Sequence, residues 1–82
     1  MKVSYSDGRT VPNAIAVVWD DLHTERSGYF RAFWADGPDG SSRSPVIGYY
    51  SPGGSHRTIR AVVREFRKLY PNELIYRNGR QQ

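Results

Sequence analysis

Residues 55–70, SHRTIRAVVREFRKLY, carry two interleaved stripes. At about 100° per residue, Ile59, Val62, Val63, Phe66, Leu69 and Tyr70 fall on one face, while Arg57, Arg60, Arg64, Arg67 and Lys68 gather beside it. The period predicts a helix docked through its apolar side chains, with the cations turned outward. Ser55, preceded by Gly53 and Gly54, has the chemistry of an N-cap, and Pro71 stops the helix after Tyr70.

Period-two alternation marks the other strong element. Residues 29–36, YFRAFWAD, send Phe30, Ala32 and Trp34 to one side and Tyr29, Arg31 and Phe33 to the other, which predicts an aromatic strand. Residues 45–50 form a second, weaker strand, joined to the first by GPDGSSRS in a hairpin. Residues 14–19, AIAVVW, fit two templates: the β-branched run favours a strand, whereas Ile15, Val18, Trp19 and Leu22 also match helical spacing. The strand is preferred, because Asp20 and Asp21 would face the negative end of a helix dipole and Ser27-Gly28 then turns the chain into Tyr29. Residues 2–6 and 9–11 can pair over Asp7-Gly8, and residues 74–76 form a short last strand.

These elements predict an α+β fold. It is a single domain over residues 1–82, two layers deep, with an antiparallel sheet in the order β-β-β-α-β, one helix across one face and a short N-terminal hairpin. Val62, Val63, Phe66, Trp34 and Phe30 are the expected core. At this length there is room for one core and little for a buried cleft.

Composition narrows the chemistry. Cysteine is absent, so disulfides, thiolate nucleophiles and thiolate metal ligands are excluded, which fits a reducing compartment. The run at 14–19 is far too short to span a bilayer, and the first residues lack the apolar segment of a signal peptide. The expectation is a soluble cytoplasmic protein with no membrane partner. His23 lies near Asp20, Asp21 and Glu25, yet in a polar loop where such residues are ordinary. His56 directly follows Ser55, and adjacent side chains at a helix start point apart, so the two do not make a nucleophile pair. With two histidines and no phosphate-binding motif, neither an enzyme nor a metal or other cofactor is expected.

The net charge of +4 is concentrated in the helix, which points to a polyanionic partner. Arg57, Arg60, Arg64 and Lys68 extend over about 16 Å of helix axis, a reach that suits a phosphate backbone. Backbone N–H groups at Gly53, Gly54 and Ser55 would extend that surface. If Phe30 and Trp34 face the helix, Tyr29 and Phe33, with Arg31 between them, form an open aromatic face able to stack on bases. The alternatives are a solvated cationic face and, for the aromatics, an N-terminal hairpin folded over them or the opposite choice of sheet face.

The run Ser55-His56-Arg57-Thr58-Ile59-Arg60 resembles the start of the second helix in double-stranded RNA-binding domains. The resemblance implies that His56, Arg57 and Arg60 meet phosphates across a major groove. It ends with those residues: the chain lacks that family's first helix and linker, places bulky Val63 where a small residue is usual, and adds a C-terminal strand. The chain is not assigned to the family.

Two functional expectations follow. The first is a non-enzymatic nucleic-acid-binding module in which Arg57, Arg60, Arg64 and Lys68 contact phosphates while Arg31, Tyr29 and Phe33 stack or steer. The second is a small protein-interaction module, an inhibitor or adaptor of the kind mobile elements encode, whose ridge meets an acidic protein surface. Terminal strands with one unpaired edge also leave self-association open, and the oligomeric state is not fixed by the residues.

Overall fold

The computed structural model describes residues 2–4, 8, 10–21, 28–35, 51 and 53–82. In chain order the elements are β1 (Val3–Ser4), β2 (Thr10–Val11), β3 (Ile15–Asp20), β4 (Phe30–Ala35), α1 (Ile59–Leu69), β5 (Ile75–Arg77) and β6 (Arg80–Gln81). The short N-terminal hairpin pairs Val3 with Val11 and Ser4 with Thr10. The other four strands form one sheet in the order β4-β3-β5-β6, and α1 packs across it, mainly against β4 and β3. The architecture is α+β, as the hydrophobic pattern predicts.

Segment 14–19 resolves to a strand. Its β-branched side chains suit a pleated surface buried on both sides, and Ala16, Val17 and Val18 are all completely buried. β3 pairs antiparallel with β4 over six residues, setting Ala16 opposite Trp34 and Val18 opposite Ala32. Beyond the ladder, the Asp21 N–H donates to the Tyr29 carbonyl at 3.0 Å.

The sheet is mixed, where a wholly antiparallel one was expected. After β4 the chain crosses by way of α1 and re-enters as β5, which lies parallel to β3 with Ala16 opposite Ile75 and Val17 opposite Tyr76. A crossover containing a helix is the connection a parallel neighbour requires. β6 then turns back antiparallel to β5 through Asn78 (φ 52°) and Gly79 (φ 79°), the two successive positive φ values of a type I′ turn.

The helix starts later than Ser55. Backbone bonds of 2.7 and 2.9 Å hold His56 to Phe30 as an antiparallel bridge on the outer side of β4, and that extended conformation keeps residues 55–57 out of the helix. Thr58 is the N-cap (φ −127°, ψ 148°); its hydroxyl accepts from the Ala61 N–H at 3.1 Å. The helix stops as expected, with the Tyr70 N–H donating to the Phe66 carbonyl at 2.8 Å just before Pro71. Arg67 and Lys68 occupy the last turn, where cations complement the helix dipole.

Val62, Val63 and Phe66 are buried against Ala16, Val18, Ala32, Trp34 and Ile75, with Ile59, Phe30 and Tyr70 at the margins. Trp34 meets Phe66 and Tyr70 edge-on, at centroid distances of 5.8 and 5.3 Å. Leu69 departs from the expected apolar face, because it lies at its edge and is 51% exposed. The sheet face away from the helix is not open: Phe33 keeps 3% of its surface and Val17 none. The expected strand at 45–50 and its connection lie outside the described residues, as do His23, Glu25 and Ser27.

Candidate nucleic-acid interface

Charge is divided unevenly along the chain. Residues 57–82 contain seven of the twelve Lys and Arg residues and two of the eight acids, so that third of the chain carries +5 and the remainder −1. Those 26 residues are α1, its lead-in and the β5–β6 hairpin. The fold therefore gathers most of the positive charge on the helix and the β5–β6 edge, while β3 and β4 carry one acid, Asp20, and one cation, Arg31.

Helix geometry sorts the cations into separate groups. Arg60, Arg64 and Arg67 lie within about 60° of one another around α1. They line one open groove of about 670 Å³ between the helix and the C-terminal residues, completed by Ile59, Val63 and Gln82. All three arginines are exposed. Arg67 donates to the main-chain oxygen of Gln82, which ties the helix wall to the strand wall. Among the described residues Arg64 lies 4.0 Å from Glu65, which is engaged more closely by Lys68 at 3.2 Å. Lys68 leans away from the groove toward that carboxylate.

Arg57 precedes the helix and belongs to a different contact. Its Nε donates to the Tyr29 hydroxyl at 3.0 Å, and its guanidinium stands 5.2 Å from the centre of the Tyr29 ring. The hydrogen bond to Tyr29 raises the Arg57 pKa further above an already high value, so its positive charge is fixed at any ordinary pH.

The expected aromatic platform is not assembled at the surface. Phe33 is buried, Tyr29 is half-buried beneath Arg57, and Arg31 is half-buried with a guanidinium nitrogen 3.7 Å from the carboxylate of buried Asp21. Gly53, Gly54 and Ser55 do not form a helix N-terminus, since α1 begins at Ile59. The Gly53 carbonyl instead meets His56 Nε2 at 2.7 Å. The resemblance to a double-stranded RNA-binding helix fails at the same place: His56 is bridged to a strand and Arg57 stands outside the helix.

Of the seven residues singled out from sequence, the fold brings only Arg60 and Arg64 into one groove. Sequence reasoning left Arg67 out of the site and overlooked Arg77 and Arg80 altogether. Arg77 reaches over β3, donating to the Val18 carbonyl at 3.3 Å with its guanidinium 5.5 Å from the Phe30 ring centre. The available signal was Asn78-Gly79, the dipeptide of a type I′ hairpin, which makes Arg77 and Arg80 cross-strand partners.

Among the described residues, no group of His, Asp and Glu is placed to hold a metal ion, and no helix is long and apolar enough to cross a membrane. No protein-family model, curated protein or solved structure matches the chain.

Proposed function

We propose that the chain is a non-enzymatic nucleic-acid-binding module whose contacts run through phosphates. The observation that carries this proposal is the groove lined by Arg60, Arg64 and Arg67, in a third of the chain whose net charge is +5. Arginine suits that task because its planar fork gives paired donors to phosphate oxygens and keeps its charge. Without an exposed aromatic platform, base stacking by Phe33 drops out of the proposal; Arg57, Lys68 and Tyr29 flank the contact and do not form its centre. Such a surface binds independently of base sequence and releases counterions.

Labelled single- and double-stranded DNA and RNA, titrated at about 50 and 200 mM salt, test the proposal. Binding that weakens steeply with salt is expected. No binding of any of the four at the lower salt would overturn it.

A protein-interaction module is the second reading, favoured by Leu69 and Leu74, which are 51% and 47% exposed outside the groove. Capture from nuclease-treated lysate separates the two: a protein partner that survives nuclease supports the second, and loss of every partner supports the first.

A further inference from the structure

The groove has a second wall. On the helix-covered face of the sheet, strand pairing runs one row through Trp34, Ala16 and Ile75, and the next through Ala32 and Val18. Arg77 continues the second row, since it lies two residues beyond Ile75 and reaches the Val18 carbonyl, and Arg80 is its partner across β5–β6. Directly paired residues share a face, as do residues two apart on a strand. Arg80 therefore stands on the same face as Gln82, about 6.7 Å along the strand from it.

The direction of that step is also fixed. Gln82 meets Arg67 near the end of α1, whereas Arg77 lies over Phe30, which His56 bridges just ahead of the helix. Moving from Gln82 to Arg80 leads back toward the start of α1, where Arg60 stands. Arg80 does not itself line the groove: its place on β6 sets it on the strand side, beyond Gln82 toward the start of α1, and it is exposed. Two cations side by side on one pleat repel each other unless something anionic relieves them.

We infer that the groove between α1 and β6 is a cleft for one nucleic-acid strand, its phosphodiester backbone held between Arg60, Arg64 and Arg67 on one side and Arg80 on the other. This rests on the proposed nucleic-acid function and names the form of nucleic acid. From Arg60 to Arg67 the helix advances about 10 Å, enough for two or three successive phosphates of an extended strand. Ile59 and Val63 at the floor offer aliphatic contact to sugars and no ring to read bases. A rigid duplex would meet only the rim of an open groove of about 670 Å³, whereas a flexible single strand can follow it. An acidic peptide would need an apolar anchor, and Val63, only 7% exposed, offers it little.

Arg77 positions the wall without lining it. Its bond to Val18 and its contact with Phe30 fix β5, and the Asn78-Gly79 turn then sets where Arg80 stands.

The test is fluorescence anisotropy with a labelled oligo-dT of about 12 nucleotides, a duplex of equal length and a labelled poly-glutamate peptide, for the full chain and its R60Q/R64Q, R80Q and R80K variants. Wild type should prefer the single strand. The slope of log affinity against log salt should shrink by about 1.4 in R60Q/R64Q and by about 0.7 in R80Q, while R80K keeps the wild-type slope. Circular dichroism confirms that each variant is folded, which is expected because all three arginines are exposed. A slope unchanged in folded R80Q overturns the second wall and leaves the proposed function standing. Tighter binding of the duplex overturns the single-strand cleft alone. Binding of poly-glutamate with neither nucleic acid bound overturns both and assigns the groove to an acidic protein.

Discussion

The two hairpins of the sheet are built by opposite means. β3–β4 pairs six residues on each strand, and seven of those twelve side chains are buried. β5–β6 pairs only two; Ile75 is buried, Tyr76 and Arg77 are half-buried, and Arg80 and Gln81 are exposed. Burial holds the first hairpin in register, because a one-residue slip would turn every core side chain toward the wrong face. Turn stereochemistry and one arginine crossing to Val18 hold the second. The core that carries stability and the surface proposed for binding therefore fall on different parts of so small a domain, and substitutions should separate them.

The largest effects belong to the core. Phe66 is 1% exposed and lies against Trp34 and Tyr70, so Phe66→Ala should cost about 3–5 kcal/mol. For a chain this size the whole stability is about 4–12 kcal/mol, so a large fraction of the variant should be unfolded near physiological temperature. Phe33→Ala, on the other face of the sheet, should be comparably damaging, since Phe33 is 3% exposed. Urea unfolding of both variants checks this. Loss in Phe66→Ala with none in Phe33→Ala would restore an open aromatic face to the sheet.

The difference between the hairpins also explains what could be read from the chain. Local chemistry was legible: alternation at 29–36, the apolar stripe of α1 and its stop before Pro71 all depend on neighbours in sequence. The start of α1 was not, because Ser55 and Thr58 are both suitable caps and the choice is made by His56 pairing with Phe30, 26 residues away. The burial of Phe33 was equally hidden, since alternation says that a strand has two faces and not whether the second is covered. β5 lying parallel to β3 is a property of the crossover, which no short window contains. β6 was within reach from Asn78-Gly79, but its flanks, Arg77 and Arg80-Gln81, lack the hydrophobic alternation that usually accompanies such a turn.

A smaller effect should follow at the turn. Gly79 has φ 79°, a conformation that costs a residue with a Cβ about 1–2 kcal/mol, so Gly79→Ala should open the β5–β6 hairpin while leaving β3–β4 and α1 intact. Amide hydrogen exchange should rise at residues 80–82 and stay slow at 15–20. With the turn opened Arg80 loses its place, and the salt slope for oligo-dT should fall to that of R80Q. Faster exchange spread evenly over the chain would mean that the second hairpin is part of the folding core.

The smallest expected change in stability comes from removing the most charge. In R57Q/R60Q/R64Q, two substitutions lie on the exposed side of α1, where Gln and Arg have similar helix propensity, and the third precedes the helix. Glu65 retains Lys68 as its closer partner, so no buried charge is left alone. The thermal melt should superimpose on that of wild type. Affinity for oligo-dT should nevertheless fall by at least tenfold at about 50 mM salt. Arg57 stands apart, bonded to Tyr29 at 3.0 Å, so R57Q alone should account for the lesser part of that loss and R60Q/R64Q for the greater. If R57Q carried most of it, the contact surface would centre on Tyr29 at the start of β4, and the groove beside β6 would lie at its edge.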